Sequence, residues 1–435
     1  MGKSKNNRDK IKTSTYFHRK RTRFSKQILS VMNVLFLVNN TKISPNANGG
    51  ASVYFSHLQL LAKLNYKVHV LLVDFQDGKK ARLSSDVNSE YIQEIDGLYT
   101  EIQHFQVAQI HPKGIVSRIK TALFQPEKFE YFFVNSTNEK ILKKYIKENN
   151  INLVWAEWRW TAILANYSKL NIPIVYAHHD WEFKLRKLKS KLSFIQKFHL
   201  KQKKRVELDL VKSVSACVSA SFTETQEIKD YGNKNALYIP LTYKKVELAK
   251  NDAKIPSIVH LGGMGTTANR IGLERFLEVC WKDLKAQIPN VKLKVIGNLK
   301  YASESLKKQL KDENIECLGF VEDLQTVLKP YDLHIIPWEY NTGTRTRIPL
   351  VFNYAQVLVS TKAAASCYPE VVHEQNSMLC NDLPQMTQQL IDLYNNTEKR
   401  IFTGNNARKT FDEVFTVAKQ VEKLQTFCKM LNFES

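Results

Sequence analysis

The chain alternates short apolar runs with polar or amphipathic stretches from Asn33 onward. Residues 34–38 (VLFLV) form one continuous apolar run, and residues 68–73 (VHVLLV) form another. Such runs are typical of strands that are buried on both faces of a parallel sheet. Between them lie a polar loop, Gly49-Gly50 and a stretch of leucines at helical spacing. This order of strand, glycine turn, helix and strand predicts the first unit of a doubly wound sheet.

Further apolar runs extend the pattern along the chain and then begin it again. Strands are predicted at 152–155, 173–177, 214–218 and 236–239 and, in a second series, at 257–263, 291–297, 316–321, 332–337 and 357–361. Helices are predicted at 273–284, 385–395 and 412–431. The polar stretch 244–257 separates the two series. The sequence therefore predicts an α/β fold with two Rossmann-like, doubly wound parallel-sheet domains that face a cleft.

The domain boundaries are predicted from these breaks in the pattern. We expect a basic disordered tail at 1–28, an N-terminal domain at 29–250, a C-terminal domain at 251–410, and a final helix at 411–435 that returns to the N-terminal domain. Ligands of such sheets bind at the carboxyl ends of the strands, where loop amides and helix N-termini favour anions. A phosphate-bearing substrate is therefore expected.

Composition narrows the class of protein. Of the 435 residues, 43% are hydrophobic and 24% are charged, which excludes wholesale disorder. No apolar run approaches the ~20 residues that a membrane-spanning helix needs, so a polytopic membrane protein is excluded. The six cysteines include no C-x-x-C pair, and we expect them to be reduced thiols of a cytoplasmic protein. Because the G-x-G-x-x-G and Walker motifs are absent, hydride transfer and ATP hydrolysis are not favoured.

Several segments in order resemble the GT-B glycosyltransferases of family 4, which use nucleotide-diphosphate sugars. The segment SIVHLGGMGTTANRIGLERFLE (257–278) resembles the opening of that family's donor domain, and VKLKVIGN (291–298) resembles its second strand. Residues 315–361, which include GFVED, a strand that ends in Pro and GTR, resemble the later part of the same domain. The resemblance covers 33–430 and implies that the N-terminal domain is the acceptor side and the C-terminal domain binds the nucleotide sugar.

The resemblance implies a donor site at the edge of the C-terminal domain. Backbone amides at Gly262 and Gly263 would approach a diphosphate without a Cβ in the way. Arg345 or Arg347 would neutralise it, because a guanidinium binds phosphate oxygens in a bidentate way. The loop 319–321 would flank the nucleoside base. The donor-binding residues implied in this way are Gly49, Gly50, Gly262, Gly263, Asn269, Gly319, Phe320, Val321, Gly343, Thr344, Arg345 and Arg347.

The N-terminal domain contributes the expected catalytic residues. The segment PIVYAHHDWE (173–182) resembles the family's strand-end motif and assigns catalytic roles to His178, His179 and Asp180. A histidine at a strand end binds a sugar hydroxyl or moves a proton near neutral pH, although a histidine pair of the core or surface is the alternative. No D-x-D motif and no third metal ligand is present, so we expect no metal and no cofactor besides the nucleotide-diphosphate sugar substrate.

The chain departs from the family where the ribose would be held. By the family's spacing from Gly343, the glutamate for the ribose hydroxyls falls on Leu350, and the earlier glutamate of the motif falls on Thr342. A leucine accepts no hydrogen bond, so Asn353 or Tyr354 would have to substitute. Without a substitute, the chain would be a degenerate, non-catalytic GT-B protein or subunit. A sugar-nucleotide epimerase is a further alternative.

The net charge of +22 is concentrated in two segments. Residues 1–28 have a net charge of +9 and residues 184–205 have +10, which leaves +3 for the rest. The first segment would anchor the protein to anionic lipid. The alternatives are a solvated extension and a wrongly assigned upstream start codon, since Met32 makes a natural start directly before the first strand. The second shows leucines and aromatics at helical spacing between its basic residues, which is typical of an interfacial membrane helix and also of a core-packed helix.

A second apolar and basic stretch at 113–124 adds to the membrane interpretation. Nucleic acid is the competing partner, but no RNA- or DNA-binding signature accompanies the patches, so it is not favoured. A basic membrane- or nucleic-acid-binding module without catalysis remains an alternative. We expect a cytoplasmic glycosyltransferase, peripheral on an anionic membrane, that acts in polysaccharide or glycolipid synthesis. Its acceptor would be a sugar or a lipid-linked sugar, and the resemblance implies a retaining, metal-independent reaction.

Overall fold

The computed structural model describes residues 32–78, 80–187, 192–250 and 254–433. The tail predicted at 1–28 therefore lies outside the described residues. The strands of the first sheet are β1 (Asn33–Asn39), β2 (Lys67–Gly78), β3 (Arg82–Ser84), β4 (Glu101–Ala108), β5 (Leu153–Glu157), β6 (Ile174–His178), β7 (Ala216–Ser219) and β8 (Ala236–Tyr238). Their order is β3-β4-β2-β1-β5-β6-β7-β8, and every described pairing is parallel except that of β3 with β4.

Helices cover both faces of the first sheet. They are α1 (Gly49–Lys63), α2 (Ser89–Ile92), α3 (Ile115–Phe124), α4 (Ser136–Glu148), α5 (Trp158–Tyr167), α6 (Glu182–Lys187), α7 (Phe194–Ser213) and α8 (Phe222–Asp230), with a 3-10 turn at Pro126–Glu130. Along β1, Phe36 and Val38 pack into one apolar cluster, while Leu35 and Leu37 pack into another. Successive strand residues point to opposite faces, so burial of both faces accounts for the continuous apolar run.

The second sheet is wholly parallel across its described strands. These are β9 (Ile258–Leu261), β10 (Leu293–Ile296), β11 (Ile315–Gly319), β12 (Leu333–Ile336), β13 (Val357–Thr361) and β14 (Ser377–Cys380), in the order β11-β10-β9-β12-β13-β14. Its helices are α9 (Thr267–Phe276), α10 (Lys282–Gln287), α11 (Glu304–Gln309), α12 (Arg347–Asn353), α13 (Lys362–Ala365), α14 (Leu383–Asn395), α15 (Thr397–Val414) and α16 (Val417–Met430). A π-helical segment, Leu277–Trp281, joins α9 to α10, and a 3-10 turn lies at Leu324–Thr326.

The fold class predicted from the sequence is confirmed, because two parallel sheets with flanking helices form the described chain. The end of the chain differs from the single helix expected at 412–431. The chain turns at 415–416, since Phe415 is fully buried and α16 begins only at Val417. Leu424 and Phe427 of α16 pack into the cluster of the first sheet that also holds α1.

The sequence pattern missed β3, β4 and β14. Strand β4 (EIQHFQVA) places only Phe105, Val107 and Ala108 in the buried class, so it lacks a continuous apolar run. The single basic helix expected over 184–205 is wrong. Helix α6 ends at Lys187, residues 188–191 lie outside the described residues, and α7 begins after Ser193. Ser193 and Gln196 form a capping box, which explains why a new helix begins there.

None of the described helices combines the length and the apolar character that crossing a bilayer requires.

Candidate functional site

A cleft of about 710 Å³ lies where the carboxyl ends of strands from both sheets face each other. Thirteen of the fifteen site residues predicted from the sequence line it, namely Gly49, Gly50, His178, His179, Asp180, Gly262, Gly263, Asn269, Phe320, Val321, Thr344, Arg345 and Arg347. Gly319 is the last residue of β11 and is not among the lining residues, and Gly343 lines a small adjacent pocket instead. The structure therefore brings nearly all of the predicted residues to one place.

The loop after β9 needs glycine because side chains press against it. Gly262 has a φ of +149°, and an added Cβ would lie 2.3 Å from Nδ2 of Asn269 and 2.6 Å from Nη1 of Arg347. Gly297 approaches the same loop from β10, since its Cβ would lie 2.6 Å from the carbonyl carbon of Gly262. A side chain at Gly262 would therefore displace Asn269 and Arg347, and one at Gly297 would displace the loop itself.

Two guanidinium groups line the same cleft. Nη1 of Arg347 donates to the carbonyl of Leu261 and to Oδ1 of Asn269 at 2.9 Å. Burial and the neighbouring Arg345 lower the pKa of Arg347 to about 9. Nη2 of Arg345 donates to the carbonyl of Thr342 at 3.0 Å, and its Nε is buried without a hydrogen-bond partner. Among the described residues, neither guanidinium forms an ion pair.

Asp180 lies beside Arg345. An ideal Cβ on Gly343 would lie 2.6 Å from Nη2 of Arg345 and 2.9 Å from Oδ1 of Asp180, so the two groups are no more than about 5.5 Å apart. Burial raises the pKa of Asp180 to about 6, the nearby Glu224 adds to the rise, and Arg345 opposes it. Burial, followed by Glu227, also raises the pKa of Glu224 to about 8. The carboxyl of Asp180 therefore titrates near neutral pH.

The two histidines differ in their surroundings. His178 ends β6 and is buried against Trp181, with ring centroids 4.4 Å apart. Burial lowers the pKa of His178 to about 3, so its ring is neutral. Its Nδ1 lies 3.2 Å from Oε2 of Glu224. His179 is more open and packs edge-on against Tyr54 with ring centroids 5.2 Å apart. His179 is therefore the better placed of the two to contact a ligand.

Sequence reasoning missed the residue that holds His179. Oε2 of Glu157, at the end of β5, lies 2.7 Å from Nε2 of His179. Its other oxygen accepts hydrogen bonds from Nδ1 of His57 at 2.7 Å and from Nε1 of Trp155 at 2.8 Å. The sequence did contain a signal for Glu157, namely an acidic residue at the end of a buried strand, because strand ends carry functional groups in such sheets.

Around Leu350, the structure places the two residues expected to replace the ribose-binding glutamate, Asn353 and Tyr354, away from the cleft. Leu350 lines the cleft and packs with Val321. Asn353 is fully buried; its Oδ1 accepts from the amide of Val246 at 3.1 Å, and its Nδ2 donates to the carbonyl of Lys244 at 2.8 Å. It therefore fixes the segment that connects the two sheets.

Tyr354, the other expected substitute, is also buried, in the apolar cluster of Leu328. Neither Asn353 nor Tyr354 lines the cleft. The carboxylates among the described lining residues are Asp180 and Glu322. In the described part of the chain, no three His, Cys, Asp or Glu side chains are grouped so that they could hold a metal ion.

Comparison with known proteins agrees with this geometry. Residues 255–396 match the family described as Glycosyl transferases group 1. No curated protein matches the sequence. The matched region contains the glycine loop and both arginines.

Solved structures show the fold of the whole chain. Anabaena HepE, in complex with UDP and glucose, is 13% identical with a TM-score of 0.64, over 92% of this chain and 100% of that one. Sucrose-phosphate synthase from Thermosynechococcus elongatus is 13% identical with a TM-score of 0.65, over 93% and 100%. TarM is 11% identical with a TM-score of 0.65, over 94% and 100%. These structures confirm the predicted GT-B fold, and the family match over 255–396 supports the predicted glycosyltransferase class.

Proposed function

We propose that the protein moves a sugar from a nucleotide-diphosphate donor to the hydroxyl of an acceptor. One observation carries the proposal: Arg345 and Arg347 line the same cleft as the glycine loop, and neither forms an ion pair among the described residues. A diphosphate would relieve the electrostatic cost of burying these charges, and backbone amides of the loop would add hydrogen bonds. Structures of HepE bound to UDP and to UDP-glucose support a uridine nucleotide as the first donor to test.

The other groups of the cleft fit the remaining parts of such a donor. Phe320 is 65% exposed although it is a large apolar side chain, and it lines the cleft, where a nucleobase would cover it. The sugar would then extend towards His179 and Asp180 on the opposite wall. We propose that the arginines replace a metal ion in neutralising the leaving diphosphate, and that the reaction retains the anomeric configuration, as the resemblance implies.

Calorimetric titration with UDP tests the donor site. Arg345→Ala should raise the Kd for UDP roughly 10- to 100-fold, because a hydrogen bond between charged groups is removed. Arg275→Ala is the matched control, because Arg275 lies in the same half of the chain but pairs with Glu278 and Glu339 outside the cleft. UDP, ADP, GDP, CMP and dTDP would be compared, with and without EDTA. Equal UDP affinity in wild type and Arg345→Ala would contradict the proposal.

The apolar side chain at Leu350 favours one second candidate, a protein that binds a nucleotide sugar without turning it over. Release of UDP from UDP-glucose, measured with simple glycosides and with glycolipid acceptors, separates the two. Tight donor binding with no UDP release for any sugar nucleotide or acceptor would favour the non-catalytic form. Formation of a glycoside would exclude that form and the epimerase.

We also propose that the N-terminal half docks on an anionic membrane surface, from which it would take an acceptor for polysaccharide or glycolipid synthesis on the cytoplasmic side. Helix α3 exposes Ile115 (77%) and Phe124 (76%), and the start of α7 exposes Phe194 (86%) and Ile195 (67%). The 3-10 turn Pro126–Glu130 packs against both helices and so connects α3 to α7. Their basic neighbours provide the charge that anionic lipid attracts.

Co-sedimentation with vesicles tests the docking surface. The protein should bind vesicles of phosphatidylcholine with phosphatidylglycerol and not vesicles of phosphatidylcholine alone. The double variant Phe194→Ser with Ile195→Ser should lose most of this binding, because the apolar contact is removed. Ile255→Ser is the control, since Ile255 is 79% exposed but belongs to the segment before β9. Unchanged binding of the double variant would contradict the docking surface.

A further inference from the structure

Glu157 is the most deeply placed acidic side chain that contacts the cleft residues. It is fully buried and accepts three hydrogen bonds from ring nitrogens: His57 and Trp155 bond to Oε1, and His179 bonds to Oε2. Burial alone would raise its pKa, but His57 and His179 outweigh burial and lower the pKa of Glu157 to about 2. The group is therefore a carboxylate under all ordinary conditions, and a carboxylate only accepts hydrogen bonds.

This charge state determines which nitrogen of His179 carries hydrogen. Because Glu157 cannot donate, Nε2 of His179 must carry the proton in the 2.7 Å contact. In the neutral ring, Nδ1 then has a lone pair. His179 lines the cleft, and the described residues provide no hydrogen-bond partner for its Nδ1. The ring therefore offers an acceptor to the space where the sugar would lie.

The backbone next to Glu157 is held in an unfavourable conformation. Trp158 has a φ of +68°, which is rare for a bulky residue and unfavourable for its backbone. This turn sends Glu157 towards the two histidines, while Arg159 turns into a second buried cluster, where its Nη1 pairs with Glu130 at 2.9 Å. Two sets of buried polar contacts on either side of Trp158 hold the turn in place. Strain of this kind is found where surrounding contacts fix a functional group.

We propose that Glu157 is a positioning residue for the sugar end of the cleft. It fixes the ring of His179 with the proton on Nε2, so that Nδ1 accepts a hydrogen bond from a hydroxyl of the bound sugar. His57 and Trp155 hold the carboxylate in turn, which makes this a connected buried network behind the ring of His179. The part that concerns the sugar rests on the proposed function, whereas the state of the ring does not.

Nitrogen-15 spectra of histidine-labelled protein test the state of the ring directly. Long-range proton–nitrogen correlation distinguishes the two tautomers, and His179→Asn assigns the signal by its loss. Wild type should show the Nε2–H tautomer. In Glu157→Gln, the new amide can donate to Nε2 of His179, so the proton should move wholly or partly to Nδ1. His57→Phe is the control: it removes a contact of Glu157 away from the cleft and should leave the tautomer of His179 unchanged.

Titrations with UDP and UDP-glucose test the sugar contact. Glu157→Gln should leave the Kd for UDP within about twofold and raise the Kd for UDP-glucose roughly 3- to 10-fold, as expected for one lost hydrogen bond. An Nδ1–H tautomer in wild type, or an unchanged tautomer in Glu157→Gln, would overturn the positioning role. An unchanged Kd for UDP-glucose would overturn the sugar contact. Failure of wild type to bind either nucleotide would contradict the proposed function while the spectra still decide the role of Glu157.

Discussion

Replacement of Asp180 by asparagine should strengthen diphosphate binding near pH 8 and leave it unchanged near pH 5. The carboxyl of Asp180 lies within about 5.5 Å of the Arg345 guanidinium. When Asp180 is ionised, its charge offsets part of the positive charge that would hold a diphosphate, and it also repels the ligand. Asparagine keeps the shape of the side chain and removes the charge.

The size of the effect follows from the distance. Two unit charges ~5 Å apart interact by ~3 kcal/mol at an effective dielectric constant of ~20. Asp180 keeps partial contact with solvent and a bound diphosphate would lie farther away than Arg345, so we reduce this figure to ~1–2 kcal/mol. That free energy corresponds to roughly a 5- to 30-fold lower Kd for Asp180→Asn at high pH.

The pKa of Asp180 determines how the effect of the substitution changes with pH. Burial, and after it Glu224, raises this pKa to about 6, while Arg345 opposes the rise. Below this pKa the carboxyl is protonated, and wild type and variant carry the same charge there. Above it the wild type gains a negative charge and the variant does not. The advantage of the variant should therefore be absent near pH 5, emerge through pH 6 and be complete near pH 8.

Calorimetric titration of both proteins with UDP at each pH measures this difference. The ratio of the two Kd values at each pH is the quantity to compare, because both proteins meet the same ionisation state of UDP there. Glu224→Gln is the control for a second acid of the same cluster, whose pKa of about 8 places its ionisation at higher pH. A ratio that stays constant between pH 5 and pH 8, or an Asp180→Asn variant that binds UDP more weakly near pH 8, would refute the reasoning.

Two further substitutions test the glycine loop and a buried charge cluster. Gly262→Ala should weaken UDP binding at least 10-fold, because its Cβ would displace Arg347 and Asn269. The control Gly265→Ala, whose Cβ would meet only Tyr301 at 3.4 Å, should change the Kd for UDP less than about threefold. Equal effects of the two substitutions would contradict the role assigned to Gly262. Arg159→Met should lower the free energy of unfolding by ~3 kcal/mol, because it removes the guanidinium that faces Glu207 and leaves Glu130 and Glu182 to Lys203 alone. Burial raises the pKa of Glu207 to about 8, so the loss should be larger at pH 8 than at pH 6. Urea unfolding measures this, with the exposed Arg205→Met as a control expected to change stability by less than ~0.5 kcal/mol, and similar losses in both variants would contradict it.

The contrast between β1 and β4 shows which strands can be predicted from the sequence and which cannot. Strand β1 is buried on both faces, so each of its central positions must be apolar and the pattern reveals it directly. Strand β4 lies near the edge of the same sheet, where His104 and Gln103 are tolerated, and its pattern is hidden. The helix break at Ser193 was likewise decided by a local cap that competes with an otherwise helical, basic composition.

The candidate site divides in the same way. Gly262, Arg345 and Arg347 belong to short segments whose order along the chain resembles a known pattern, and the structure places them together in the cleft. Asn353 was a reasonable substitute for a missing glutamate by its position in the sequence. Its hydrogen bonds to the segment 244–246 assign it a structural place instead, and no local pattern predicts that contact across more than a hundred residues.

The sequence by itself determined the two-sheet α/β architecture, the glycine loops and the two basic segments. Each depends on residues that are neighbours in the chain: continuous apolar runs for strands buried on both faces, glycines for positive φ values, and runs of Lys and Arg for local charge. Only the tertiary structure decided that Glu157 joins His57 and His179, and that Asp180 lies beside Arg345. These groups come from separate strands, helices and loops. Their distances depend on strand order, helix packing and the approach of the two halves of the chain, which no short stretch of sequence specifies.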